Sequence, residues 1–234
     1  MYKVLLFDAD DTLFDFQACE KQALHSTFAK YHIALTSRLL QAFHTLNKTL
    51  WDGYEQGRLT REEVVFTRFV QLFQQFHLSA DGIQFEKDYQ DALAKGHQLM
   101  EGAYALLEEL KHEYRLFVVS NGVVATQYQR LQDAGLLHFF EHIFLSEEVG
   151  SRKPQISFFE PVLQAAKPSA KKEILLIGDS LSSDIAGANR IGIDCVWMNP
   201  NKKAAPNNYA ITYEIQHLHQ LKMILDSLKT EKDG

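Results

Sequence analysis

Five short apolar runs without polar–apolar alternation constrain this chain's fold more than any other feature. They lie at residues 4–7, 116–119, 174–177 and 195–197, with a weaker run at 143–145, and are rich in Val, Ile, Leu and Phe. A strand with one wet face alternates; a strand buried on both faces of a parallel sheet does not. Helical patterns separate the runs. Residues 123–134 stop at Gly135, residues 156–166 stop before Pro168, and residues 182–191 stop at Gly192. Strand alternating with helix predicts an α/β fold with a Rossmann-like, doubly wound parallel sheet.

One stretch, from about Phe16 to Gly96, carries no strand signal. Leu39, Phe43, Leu46 and Leu50 fall at helical spacing. Thr60 and Glu63 make a capping box, in which Thr60 caps the new helix and Glu63 reaches back. Val65, Phe69, Leu72, Phe73 and Phe76 follow as an apolar stripe. The expectation is three or four helices inserted after the first strand. The chain then divides into a core of residues 1–15 and 97–234 and an all-helical cap subdomain of residues 16–96, packed beside the sheet's C-terminal edge. The tail beyond Leu228 is expected to fray.

With 234 residues, 46% hydrophobic and 23% charged, the chain is large enough for such a core plus an insert. Its net charge is −6 and it has no block of Lys or Arg, which argues against a nucleic-acid polymer as partner. No apolar run approaches the ~20 residues that cross a bilayer, so no membrane partner is expected. Two cysteines, Cys19 and Cys195, are too few for a disulfide framework. Asp8 arrives too early for a signal peptide. A cytoplasmic protein is expected, and no oligomeric state follows from the sequence.

Chemistry should collect beyond the carboxyl ends of the strands. Asp8 and Asp10 stand there, directly after the first run. Two neighbouring carboxylates repel unless a cation or a shared proton relieves them. They read as a nucleophile and an acid/base with magnesium (Mg²⁺) between, or as capping residues of an acidic turn. Asp179 follows the run at 174–177, and Asp184 lies in the first turn of the next helix, either as a further magnesium-site carboxylate or as a partner of the helix dipole. Ser120, Asn121 and Gly122 after residues 116–119 offer a hydroxyl and backbone N–H groups to phosphate oxygens, or form a plain tight turn. Lys153 precedes Pro154. Placing that proline in the first position of a helix would leave Lys153 at the end cations avoid, with reason to seek an anion.

In order, the chain carries D-x-D-x-T at residues 8–12, S-N-G at 120–122, K-P at 153–154 and G-D-x-x-x-x-D at 178–184. Here it resembles the haloacid dehalogenase-like superfamily over essentially its whole length. The resemblance implies a Rossmann-like core with a helical cap and magnesium as cofactor. It implies that Asp8 is a nucleophile forming an aspartyl-phosphate, and that Asp10 protonates the leaving oxygen and then activates water. Ser120, Asn121 and Lys153 would hold the phosphoryl group. Asp8 and Asp179 would ligate magnesium directly, Asp10 through its backbone carbonyl, and Asp184 would support the metal.

Asp10 favours a phosphatase, since the dehalogenases of this superfamily lack that residue and an alkoxide leaves poorly without an acid. The segments at 7–14, 47–60 and 146–150 resemble the pyrimidine 5′-nucleotidase branch, which implies a small nucleoside monophosphate as substrate. Lys48, Trp51 and Tyr54 share a rough helical face. An aromatic there reads either as a base-stacking platform, worth ~1–3 kcal/mol per base, or as cap core. The alternative is a phosphatase or phosphomutase acting on sugar phosphates or other small metabolites.

Overall fold

The computed structural model describes residues 1–167 and 170–230. Six strands, β1 (Val4–Phe7), β2 (Arg115–Ser120), β3 (His142–Leu145), β4 (Ile174–Gly178), β5 (Asp194–Met198) and β6 (Tyr213–Ile215), form one sheet in the order β3-β2-β1-β4-β5-β6. Every pairing is parallel. The chain builds outward from β1 on one side, then returns to β1 and builds on the other. The topological switch point therefore falls between β1 and β4.

The absence of alternation in the sequence has a direct cause. Leu5, Phe7, Leu116, Val118, Leu175 and Ile177 enter one core, while Val4, Leu6, Phe117, Val119, Ile174 and Leu176 enter the other. Successive side chains on a strand point to opposite faces, and here both faces are covered. The first core is closed by α5 (Ala103–Leu110), α6 (Val124–Asp133) and α10 (His219–Thr230), through Leu107, Leu131 and Leu221 among others. The second is closed by α8 (Ile156–Ala166) and α9 (Ala186–Ile191), through Phe158, Val162 and Ala188. A single turn of helix, α7 (Ser146–Val149), leads out of β3. The fold is thus an α/β Rossmann-like core with helices on both faces.

The chain resolves into two compact units, residues 1–16 with 97–234, and residues 17–96. The second unit is helical: α1 (Phe16–Lys30) leads into it, followed by α2 (Ser37–Glu55), α3 (Arg61–Gln75) and α4 (Gly82–Ala94). Local chemistry fixes the helix starts. Thr36 caps α2, Thr60 and Glu63 complete a capping box on α3, and Asp81 caps α4. An aromatic cluster fills this unit's interior, with Phe69 and Phe85 centroids 4.6 Å apart and Phe28 and Phe85 4.8 Å apart. Beside it, Arg68 is buried and donates two 2.7 Å bonds to Glu86. Burying that guanidinium is tolerable because its fork matches the carboxylate.

β6 and α10 stand outside the elements expected from sequence, and β6 is only three residues long. Two expectations are amended. Of the tail expected to fray beyond Leu228, Lys229 and Thr230 continue α10, and Lys229 pairs with Glu113. The predicted helix at 182–191 is two pieces, a wide π-type turn at Leu181–Ile185 followed by α9. Pro168, expected just beyond α8, lies outside the described residues, as do residues 231–234.

Candidate active site

Three adjacent strand ends supply the site. β1 delivers Asp8, β2 ends on Ser120, and β4 ends at Gly178 just before Asp179. Because β1 pairs with both β2 and β4, these ends are neighbours. The Asp8 N–H continues the ladder by donating to the Ile177 carbonyl.

Lys153 binds the pieces together. Its ammonium has three protons to give, and donates to Asp8 Oδ1 at 2.6 Å, Asp184 Oδ1 at 2.7 Å and the Val119 carbonyl at 2.8 Å. The side chain is almost wholly buried. Burial opposes its charge, but Asp184 and Asp8 outweigh that and hold the amine above its ordinary range. The loop is fixed by Asn121, whose Oδ1 accepts the Lys153 N–H at 2.9 Å and whose Nδ2 donates to the Lys153 carbonyl at 3.0 Å. The side chain of Asn121 thus places Lys153, and the expected contact of this turn with phosphate falls to backbone N–H groups.

The expected place of Lys153 at a helix N-terminus is corrected. The helix α8 opens at Ile156 with Gln155 as its cap. Pro154 follows a cis peptide bond, inside a turn closed by the Gln155 N–H donating to the Arg152 carbonyl. Lys153 thus stands outside α8, and its anions are Asp8 and Asp184.

Asp184 sits in the π-type turn, buried, with Oδ2 accepting the Ser180 N–H at 3.1 Å. It fits because Gly178 has no side chain: a Cβ there would stand 2.3 Å from Asp184 Cγ. Asp179 is oriented from the next strand, where Trp197 Nε1 donates to its carbonyl at 2.8 Å. Ligand oxygens of Asp8, Asp179 and Asp184 all lie within 4.8 Å of one another.

These carboxylates strain against each other. Asp8 is pushed up to about 8: burial raises it most, Lys153 pulls it down, and Asp184 and Asp10 add to the rise. Burial, then Asp8 and Asp184, hold Asp179 well above the usual carboxylate range. When Asp8, Asp179 and Asp184 are all ionised, Lys153 offsets one of them and two negative charges remain in excess. A divalent, oxygen-seeking cation removes that excess, and hard all-oxygen donors of this kind suit magnesium. The residues present fit the ion.

The Asp10 carboxylate is not among those three. Arg130 Nη1 donates to its Oδ1 at 2.5 Å and Gln127 Nε2 to its Oδ2 at 2.6 Å. Gln127 also donates to Ser120 Oγ at 3.3 Å, and the Gly122 N–H donates to the same hydroxyl at 3.0 Å. Sequence reasoning missed Arg130 and Gln127. Only Gln127 left a signal: at helical spacing Val124, Gln127, Leu131 and Ala134 share a face, and Gln127 interrupts an otherwise apolar stripe.

The helical-unit residues singled out from sequence lie together on α2. Lys48 is exposed and paired with Asp52 at 2.6 Å. Trp51 is half-buried, and its ring stands edge-on to that of Tyr54, 5.6 Å between centroids. Tyr54 is buried against Leu50 and Val64.

A doubly wound sheet with a carboxylate–lysine cluster at its switch point marks a Rossmann-like hydrolase. The chain belongs to the haloacid dehalogenase-like hydrolase family, whose profile matches residues 5–198. It is 43% identical over 225 residues to the HAD-hydrolase YfnB of Bacillus subtilis, covering 96% of each chain. A crystal structure of YfnB, described as bound to magnesium and revealing interdomain movement, aligns with a TM-score of 0.91 over 96% of this chain and 98% of that one. The chain is 37% identical to the pyrimidine 5′-nucleotidase PynA of Streptococcus pneumoniae, over 99% of this chain and 98% of PynA. It is 29% identical to the pyrimidine 5′-nucleotidase YjjG of Escherichia coli, over 94% and 96%. Among the described residues, no helix is long and apolar enough to cross a membrane.

Proposed function

We propose that this protein is a magnesium-dependent phosphate-monoester hydrolase that works through an aspartyl-phosphate on Asp8, with pyrimidine nucleoside 5′-monophosphates as its substrates in the cytoplasm. One observation carries the hydrolytic reading. A second carboxylate, Asp10, stands two residues beyond Asp8 at the same sheet edge and is held by donors of its own, outside the carboxylate cluster. A displacement that expels an alkoxide needs such an acid. The nucleotide part rests on likeness to PynA and YjjG.

In this reading Asp8 attacks phosphorus while the bond to the leaving oxygen breaks. The electron pair leaves with that oxygen, which takes a proton from Asp10. Water then attacks the aspartyl-phosphate, its proton passes to Asp10, and inorganic phosphate departs with Asp8 restored. Ser120 donates to a phosphoryl oxygen, and Lys153 offsets charge on Asp8 and the transferring group. Asp8, Asp179 and the Asp10 carbonyl, with Asp184 in support, would hold magnesium, which would supply positive charge against the phosphoryl oxygens.

Discrimination among esters is assigned to residues 17–96, acting as a cap, because the core motifs grip only the phosphoryl group. Trp51 is the proposed stacking surface, with Lys48 nearby. Tyr54 is too deeply buried to offer a face and is proposed to brace Trp51. The test is a phosphate-release screen over nucleoside and sugar monophosphates with Mg²⁺, run on wild type and Trp51→Ala. The reading expects pyrimidine 5′-nucleotides to lead in kcat/KM, and Trp51→Ala to lose on nucleotides while keeping p-nitrophenyl phosphate. Sugar phosphates leading the screen, or an equal loss on every ester, contradicts the nucleotide assignment. A phosphomutase would release little phosphate from any of them.

A further inference from the structure

The geometry points to Arg130 and Gln127 as positioning residues that aim the Asp10 carboxylate at the leaving-group oxygen. This rests on the phosphatase reading above. Each oxygen of Asp10 is held by a different donor, Oδ1 by Arg130 and Oδ2 by Gln127. Two bonds on two atoms fix rotation about both side-chain torsions, which one bond would not. The donors are themselves fixed. Arg130 is fully buried, its guanidinium over the Phe14 ring at 4.3 Å and the Phe16 ring at 5.6 Å. Its Nη1 also reaches Gln127 Oε1 at 3.4 Å, so the two clamp residues brace each other.

An independent feature makes room for the clamp. A Cβ at Gly122 would stand 2.3 Å from Gln127 Nε2, so the bare glycine of the S-N-G motif is what lets Gln127 pass to Asp10. Gln127 touches Ser120 as well, so one amide ties the acid to the phosphate-side hydroxyl. The two residues sit three apart on α6, one helical turn, and so act from a rigid element. A misplacement of about 1 Å in a reacting group costs on the order of 10²-fold in rate, so the clamp matters only where proton transfer limits the reaction.

That condition supplies the test. The parameter kcat/KM reports steps through phosphoryl transfer to Asp8, so later hydrolysis does not enter it. It is measured with Mg²⁺ on UMP, whose alkoxide needs a proton, and on 2,4-dinitrophenyl phosphate, whose phenolate leaves without one. Asp10→Asn should lose roughly 10²–10⁴-fold on UMP and little on the aryl ester. Arg130→Met and Gln127→Leu should show the same split, losing at least about 10-fold more on UMP than on the aryl ester. Arg130→Lys should recover part of that loss. Placed on the Asp10→Asn background, Arg130→Met should add no further split, because the residue it positions is gone. If Arg130→Met does not fold, Gln127→Leu carries the comparison. Equal losses on both esters, or a split that persists undiminished without Asp10, overturns the positioning role. A wild type inert toward both esters overturns the phosphatase reading instead, and this inference with it.

Discussion

Lys153 is where the chemistry of single residues is most exposed to test. It is the shared counter-charge of Asp8 and Asp184, with all three ammonium protons committed. Removing it leaves two buried carboxylates facing each other. Lys153→Met should therefore cost about 3–5 kcal/mol of stability without metal, as breaking a buried pair usually does. Urea unfolding in EDTA measures this. A loss under about 1 kcal/mol would mean that Asp8 and Asp184 do not depend on Lys153. At this scale the sequence was legible where residues stand beside strand ends. Asp8, Ser120 and Asp179 could be found by locating buried runs and reading one or two residues onward. For Gln127 the sequence offers only a polar break in an apolar stripe, and for Arg130 nothing, because their role depends on a contact about 120 residues away in sequence, with Asp10. The helix-start argument for Lys153 failed for the opposite reason. Proline is permitted both in a first helical turn and in a tight turn, and nothing local decides between them.

Elements place these residues, and Gly178 shows how tightly. It ends β4, and its missing side chain leaves the space that the Asp184 carboxylate occupies. Gly178→Ala puts a methyl group into that carboxylate. Either the π-type turn or the end of β4 must shift. The expected result is at least a 10-fold fall in kcat with a higher Mg²⁺ requirement, since a displacement of about 1 Å suffices for a loss of that order. A metal titration of activity checks it; an unchanged half-saturating concentration would show that Asp184 tolerates the shift and does not support the metal. Elements whose cause is local were readable in advance. The capping box of Thr60 and Glu63 starts α3 as expected, and the unbroken apolar runs became the five strands β1 to β5. The sixth strand was not readable: three residues, Tyr213, Glu214 and Ile215, carry no periodicity, and only pairing with β5 makes them a strand.

The whole molecule combines a doubly wound core with a helical unit of residues 17–96. Its α/β class was legible because both faces of the sheet are buried, and that erases alternation along every central strand. On the proposed function, the excess negative charge at the switch point would make the folded core the state that binds a divalent ion. Such a ligand stabilises by about 2.7 kcal/mol at a hundred times its Kd, or roughly 5–10 °C in Tm for a chain of this size. Thermal melts should show a rise of this order with saturating Mg²⁺ for wild type and a much smaller one for Asp179→Asn. Equal shifts would remove Asp179 from the metal site. The central claim is that the phosphoryl group passes through Asp8, and the most direct measurement is the intact mass of acid-quenched Asp10→Asn protein after reaction with 2,4-dinitrophenyl phosphate and Mg²⁺. Without Asp10 to activate water, the covalent adduct should accumulate. The account predicts one phosphoryl group per chain, mapping to Asp8 and absent when Asp8→Asn is added. An unmodified chain, while wild type turns over the same ester, or a phosphoryl group on any other residue would contradict it.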